Sequence, residues 1–366
     1  MTVLLLGGTG AMGYYLASEL INLGFDVFVT SRSARKSNDN KLTYIQGNAR
    51  DNKFITKTLV DKYDAIVDFM AYSTNEFRQR HELLLKNTKH YIFLSSGRVF
   101  AESTQPITEN SPRLLDISID SEYLATDEYA LAKARQENIL RESQYNNWTI
   151  IRPTITYSKT RFQLGTLEAN IIIFRSLRGY PVILPQEMLQ KKTAMTWGGD
   201  VAKMIARLTL NQNTFGEDYN VCTHEYRTWN EIAQYYKKII GLDVFLVDLD
   251  IYIKLIGRKY QILYSRMFNR TWDNSKILNA TGLQKDNLMS IYDGLAEELS
   301  DRQKLYNIKP NYIINAKIDK ITRSRIPLDK ASVREKLYYN CAYTGIDVFL
   351  KYVKNCIKNN VILCKQ

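Results

Sequence analysis

Apolar residues in the first 160 positions gather in short, largely unbroken runs, at 3–6, 26–30, 41–46, 65–69, 90–94 and 148–154. A strand with one wetted face would alternate polar and apolar side chains, so such runs predict strands buried on both faces, as in a parallel sheet. Helix-period stretches lie between them, among them 14–23, closed by Gly24, and 127–143. This alternation predicts an α/β fold, a doubly wound parallel sheet formed mainly by residues 1–158. Beyond it, helical stretches at 164–177 and 228–240 interleave with returns to the sheet, so a smaller lobe, mainly 159–300, is discontinuous in sequence. Residues 301–366 read as a helical extension.

The first run leads straight into Gly7-Gly8-Thr9-Gly10-Ala11-Met12-Gly13 and then a helix. Glycine at 7, 10 and 13 lets the chain turn tightly, lets the backbone approach a pyrophosphate, and lets the helix pack on the strand with its first amides free for phosphate. The segment reads as a dinucleotide cradle. Glycines this dense also suit a plain flexible loop, and a second motif separates the two readings.

That motif is Tyr129-Ala-Leu-Ala-Lys133. Four residues apart on a helix, Tyr129 and Lys133 project from one face. A tyrosine hydroxyl is a poor base near neutral pH, but a cation one turn away favours its phenolate and makes it usable for proton transfer. In a chain with 25 tyrosines and 50 basic residues such a pair also arises by chance. Against chance stands the run at 92–94, which delivers Ser95 and Ser96 to a strand's carboxyl end, where open α/β sheets bind ligands. Ser96 is placed to polarise a substrate oxygen beside Tyr129.

Taken together, these motifs resemble those of an extended short-chain dehydrogenase/reductase of the NAD-dependent epimerase/dehydratase family acting on nucleotide sugars. The glycine motif, the Ser-Ser-x-x-Val-aromatic strand end and the Tyr-x-x-x-Lys pair occur in family order, and weaker similarities follow at Ile151-Arg152-Pro153, Gly199-Asp200-Val201-Ala202, Thr228-Trp229-Asn230-Glu231-Ile232 and Asp273-Asn274-Ser275-Lys276-Ile277. The resemblance implies a Rossmann unit, a catalytic set of Ser96, Tyr129 and Lys133, and a second role for Lys133 on the nicotinamide ribose. It implies further cofactor contacts from Gly7, Thr9, Gly10, Ala11, Met12, Gly13, Asn48, Ala49, Met70 and Ala71, and substrate contacts from Ser96, Gly97, Arg98 and Tyr129. It also implies a homodimer paired through the Tyr129 helix, and a role in surface polysaccharide synthesis.

Departures from the family pattern narrow the expectation. Dehydratases of the family carry an Asp-Glu pair after the catalytic hydroxyl, whereas Gly97 and Arg98 stand here, so water elimination lacks its acid and base. Ile155 replaces a substrate-contacting Asn, and Asn48 replaces an aspartate after the third strand. NAD-specific members place an acid about 20 residues after the glycine motif to hold the ribose hydroxyls. Here Ser31, Arg32, Arg35 and Lys36 offer a hydroxyl and three cations. They favour NADP through its 2′-phosphate; a solvated basic loop is the alternative.

Composition is that of an ordinary globular protein, 45% hydrophobic and 24% charged over 366 residues. Met1-Thr2 leads directly into a strand and no apolar run reaches the 18 or so residues that a span requires, so a cytoplasmic placement is expected. Cysteines at 222, 341, 356 and 364 lack Cys-x-x-Cys spacing and histidines at 81, 90 and 224 are scattered, so reduced thiols and no metal site are expected. Charge is uneven: 301–366 holds 14 Lys+Arg against 5 Asp+Glu, and so carries +9 of the net +12. Within it, 331–359 reads as a basic amphipathic helix with Leu337, Tyr338, Val348, Phe349, Tyr352 and Val353 on its apolar side. Such a helix caps the body or rests on an anionic membrane; nucleic acid is not expected, for want of a recognition motif.

The expected function is an NAD(P)-dependent oxidoreductase or epimerase on a nucleoside-diphosphate sugar, with hydride transfer at C4. The rival is a dinucleotide-binding protein without catalysis, serving as a redox sensor or scaffold, which has no need of the tyrosine.

Overall fold

Residues 3–6 are fully buried, and their side chains divide between two cores on opposite faces of one sheet. Val3 and Leu5 face one core with Val27, Val29, Val67 and Ile92, while Leu4 and Leu6 face the other with Ile66, Tyr91, Phe93 and Ile150. Two buried faces are why the sequence shows runs rather than alternation. A computed structural model describes residues 1–159 and 161–346.

The sheet has seven parallel strands: β1 (Thr2–Leu6), β2 (Asp26–Ser31), β3 (Leu42–Gln46), β4 (Tyr63–Asp68), β5 (Thr88–Leu94), β6 (Trp148–Ile151) and β7 (Glu217–Tyr219). Their order is β7-β6-β5-β4-β1-β2-β3. The order reverses between β1 and β4, where Leu6 pairs with Asp68, and this switch point is where an open α/β sheet leaves a crevice. Helix α1 (Gly13–Asn22) covers one face with α3 (Gly198–Leu208) and α4 (Ser275–Thr281), while α2 (Tyr129–Arg141) lies between β5 and β6 in the chain and buries Leu140 in the opposite core. This Rossmann-like α/β fold is the one read from the sequence.

Two compact units divide the chain. The first comprises Met1–Phe162, Lys191–Thr228 and Leu263–Glu298 and holds the sheet. The second comprises Gln163–Gln190, Trp229–Ile262 and the described part of Leu299–Gln366. In the second, Val182–Pro185 pairs in parallel with Val244–Val247, and a buried Arg175–Asp319 ion pair of 2.8 Å ties helix Ala169–Ser176 to helix Tyr312–Thr322.

Three expected elements differ. The strand at 148–154 stops at Ile151, since Pro153 has no amide for a ladder, and pairing resumes separately between Ile155–Tyr157 and Met195–Trp197. The helix at 164–177 is shortened to Ala169–Ser176, because Gly165 turns with φ +57° and joins Gln163–Leu164 to Leu167–Glu168 as an antiparallel pair. The C-terminal helix runs over Val333–Thr344 and buries Tyr339 and Ala342, leaving Leu337 and Tyr338 exposed. At 100° per residue those two fall outside the stripe set by 339 and 342, so they do not form its apolar side. Val348, Phe349, Tyr352 and Val353 lie outside the described residues. No described helix is long and apolar enough to cross a membrane.

Candidate active site

The glycine segment joins β1 to α1. Gly7 has φ +69°, and a Cβ there would lie 2.8 Å from Met70 Sδ. A Cβ on Gly13 would lie 2.3 Å from Gly8 O, so this position fixes the close seat of the helix on the loop. Gly10 differs, since a Cβ would meet nothing within 4 Å. The middle of the loop therefore opens onto space while its ends are packed tight, the shape an approaching pyrophosphate requires. Thr30 Oγ1 accepts the Gly7 amide at 2.9 Å and holds the loop to β2. Thr9, Ala11 and Met12 belong to the same turn.

Ser31 ends β2, and its hydroxyl donates to Ser33 O at 2.8 Å and accepts Arg35 Nε at 3.3 Å. Arg32, Arg35 and Lys36 are exposed. Asn48 and Ala49 follow β3, with Asn48 Oδ1 accepting the Arg50 amide at 3.1 Å. Met70 and Ala71 follow β4. All these residues thus follow the carboxyl ends of parallel strands around the switch point.

Ser96, Gly97 and Arg98 follow β5. Ser96 is buried in extended backbone, and its Oγ accepts the Arg98 amide at 3.2 Å. A Cβ at Gly97 would stand 2.6 Å from the Trp272 ring, so only glycine lets that indole close on the turn. Arg98 pairs with Glu128 at 2.5 Å and sets its guanidinium 5.3 Å from the centroid of the Tyr129 ring. Glu128 caps α2 by accepting the Ala130 amide at 2.8 Å, which fixes the start of the helix at Tyr129.

Tyr129 is 37% exposed whereas Lys133, one turn on, is 1% exposed. The tyrosine is therefore accessible, while the lysine on the same helix is buried. Lys133 Nζ donates to Met70 O at 3.4 Å and stands 4.5 Å from the Phe93 ring centroid. Burial holds its ammonium down to about 8, against the pull of Asp68 and Glu137. Glycine loop, β4 turn, β5 turn and the Tyr129 face of α2 are thus tied to one another by Gly7–Met70, Lys133–Met70 and Arg98–Tyr129 contacts.

Sequence reasoning missed four charged residues here. Glu137 repeats the spacing of 129 and 133, a visible signal, and receives Ser95 Oγ at 2.5 Å and Arg152 at 2.7 and 3.0 Å. Burial pushes its carboxyl up, but Arg152, Ser95 and Arg141 outweigh burial and leave it below the usual range. Asp68 stands out as an acid closing an apolar strand. Glu128 precedes the tyrosine. Arg270 gave no signal: it is buried, donates to Gly97 O at 3.2 Å, Phe100 O at 3.3 Å and Ser265, and burial with the nearby Arg98 charge brings it down to about 9.

Among the described residues no cluster of three or more His, Cys, Asp or Glu has the geometry of a metal site.

The pattern of the NAD dependent epimerase/dehydratase family matches residues 3–222, more than half of the chain, and the chain belongs to that family. A UDP-glucose 4-epimerase from Lacticaseibacillus casei is 27% identical over 162 residues, which span 38% of this chain and 46% of that protein. Among solved structures, UDP-glucuronic acid 4-epimerase from Bacillus cereus, in complex with UDP-glucuronic acid and NAD, superposes with a TM-score of 0.62 at 17% identity, covering 84% of this chain and 100% of that one. dTDP-glucose 4,6-dehydratase from Bacillus anthracis, in complex with NAD, gives 0.63 at 15% identity over 83% of this chain and 97% of its own. At such identities the likeness is one of fold.

Proposed function

We propose that the chain is a nicotinamide dinucleotide-dependent enzyme that moves a hydride at C4 of a nucleoside-diphosphate sugar, as a 4-epimerase or a 4-keto reductase. The observation that carries this reading is an accessible Tyr129 one helical turn from a buried Lys133 that is bonded to Met70, beside the Gly7–Met70 contact at the sheet's switch point. Family membership and the likeness to 4-epimerases support it.

A bound nicotinamide supplies the hydride acceptor or donor, and the residues present fit a dinucleotide: Gly10 leaves the open space, Gly7 and Gly13 the tight ends. In the oxidising direction Tyr129 takes the proton of the C4 hydroxyl as its C–H bond gives up the hydride, leaving a C4 carbonyl. In the reducing direction Tyr129 returns a proton to that oxygen. Lys133 supplies a positive charge one helical turn from Tyr129, and Ser96 donates a hydrogen bond to the same oxygen. The paired guanidinium of Arg98 and buried Arg270 give this end of the site an excess of positive charge that suits an anionic substrate.

Elimination of water is disfavoured. Arg98 stands where a dehydratase needs an acid, and the nearby Glu128 carboxylate is taken up by Arg98, the Ala130 amide and the Tyr123 hydroxyl. At the ribose end, Ser31, Arg32 and Arg35 favour a 2′-phosphate and hence NADP. Residues mainly within 159–300 supply the substrate-binding lobe. Denaturing freshly purified protein and identifying any released dinucleotide by mass spectrometry tests the reading: retained cofactor fits an epimerase, an empty site that binds NADPH fits a reductase, and failure to bind either refutes both.

A further inference from the structure

Asp68 closes β4 and has no part in the chemistry above, yet both oxygens of its buried carboxylate are engaged. Oδ1 accepts the Met70 amide at 2.9 Å and the Tyr72 hydroxyl at 3.4 Å, and Oδ2 accepts the Tyr91 hydroxyl at 2.9 Å. A carboxyl that receives three donors on two oxygens is arranged as the ionised form. Lys133 meets the same turn from α2, with Nζ on Met70 O, and Phe93, which pairs in register with Asp68, lies under the ammonium.

A buried ammonium needs a counter-charge. Two carboxylates face Lys133: Asp68 from β4 and Glu137 from its own helix. Glu137 is shared among Arg152, Arg113 and Arg141, which leaves Asp68 as the carboxylate without a guanidinium in contact. Around Asp68 stand Tyr72 and Tyr91, with Arg80 4.5 Å above the Tyr72 ring and held by Ala49 O and Arg50 O.

We propose that Asp68 is a positioning residue that acts through Lys133: its carboxylate pins the Met70 turn and supplies the counter-charge that keeps the Lys133 ammonium protonated one helical turn from Tyr129. Burial raises the Asp68 carboxyl above its usual range while the Met70 amide, Tyr91 and Lys133 pull it back, as expected of a charge that exists to face another charge. The same turn carries the Met70 side chain onto Gly7, so Asp68 also sets one wall of the glycine loop. The consequence for turnover rests on the function proposed above; the charge coupling of Asp68 to Lys133 does not.

The test is the Asp68→Asn protein, which keeps an acceptor for the Met70 amide and removes the charge. Lys133 ionisation is followed by NMR of protein labelled at lysine Cε, with the signal assigned through Lys133→Met. The midpoint is expected to fall by about one unit or more, a tenfold change in the protonation equilibrium. Tyr91→Phe, which removes one donor and keeps the carboxylate, is expected to lower it by less and serves if Asp68→Asn does not fold. An unmoved midpoint in a folded variant overturns the proposal. A lowered midpoint with an unmoved pH–rate profile upholds the charge coupling and overturns instead the catalytic reading of Lys133.

Discussion

Glu137 and Arg152 form a fully buried bidentate ion pair, with Nε at 2.7 Å and Nη2 at 3.0 Å from the two carboxylate oxygens, and the same carboxylate receives Ser95. Since Ser95 immediately precedes Ser96 and Glu137 lies one turn beyond Lys133, this pair locks the end of β5 to α2.

Removing Glu137 leaves buried Arg152 with Asp218 as its remaining counter-charge and leaves Arg113 and Ser95 without their shared acceptor. Glu137→Ala is expected to cost about 3 kcal/mol in urea denaturation, the low end of the range for breaking a buried ion pair, because Asp218 still faces the guanidinium. Because Glu137 sits below its usual range when folded, its contribution is complete above the unfolded-state value near 4.3 and is lost as pH falls through the folded value. The stability of the native protein should therefore decline on acidification below about pH 4, and a flat profile there would contradict the pairing.

Gly10 and Gly13 should respond differently to alanine. At Gly13 the added methyl meets Gly8 O, so stability should fall by about 1–3 kcal/mol. At Gly10 it meets nothing, so Gly10→Ala should melt like the native protein yet bind the dinucleotide at least about tenfold more weakly, or about 1.4 kcal/mol. Thermal melts and dinucleotide titrations on the same samples separate the two, and unchanged affinity in Gly10→Ala would remove the loop from the site.

Burial holds the Lys133 ammonium down to about 8. Below that value the ammonium is present, so turnover should hold toward neutral pH and fall as pH rises through about 8. A pH–rate profile without that alkaline limb would show that the Lys133 charge is not used.

Much of this was legible before the structure because it depends on local chemistry. The run 3–6, the glycines after it and the Tyr129–Lys133 spacing are each confined to one turn or one strand, where periodicity and backbone freedom leave few alternatives. The ion pairs that hold these pieces together were not legible: Glu137 and Arg152 are 15 residues apart, Asp218 joins Arg152 at 2.5 Å from much further along, and Arg270 reaches Gly97 across 173. Such partners are set by which strands become neighbours. The Leu164 and Leu337 segments were misread because apolar periodicity reports neither a left-handed glycine nor the neighbour a helix will meet.

Arg32 and Arg35 make the cofactor preference testable by charge alone. Replacing both with Ala should weaken NADPH binding by about tenfold or more and leave NADH binding little changed, because a 2′-phosphate pairs with guanidinium and a 2′-hydroxyl does not. Equal loss for both dinucleotides would assign the two arginines to the loop rather than to the phosphate.

The proposed reaction is a Tyr129-dependent hydride transfer on a nucleotide-activated sugar. The direct measurement mixes dinucleotide-loaded protein with a panel of UDP- and dTDP-hexoses and hexuronic acids, follows nicotinamide absorbance at 340 nm, and reads C4 of the sugar by NMR, in native protein and in Tyr129→Phe. A sugar-dependent absorbance change or C4 inversion is expected in the native protein, reduced by about 10²–10⁴-fold in Tyr129→Phe with dinucleotide binding retained. Equal turnover in the two proteins, or dinucleotide binding with no response to any sugar, would contradict it.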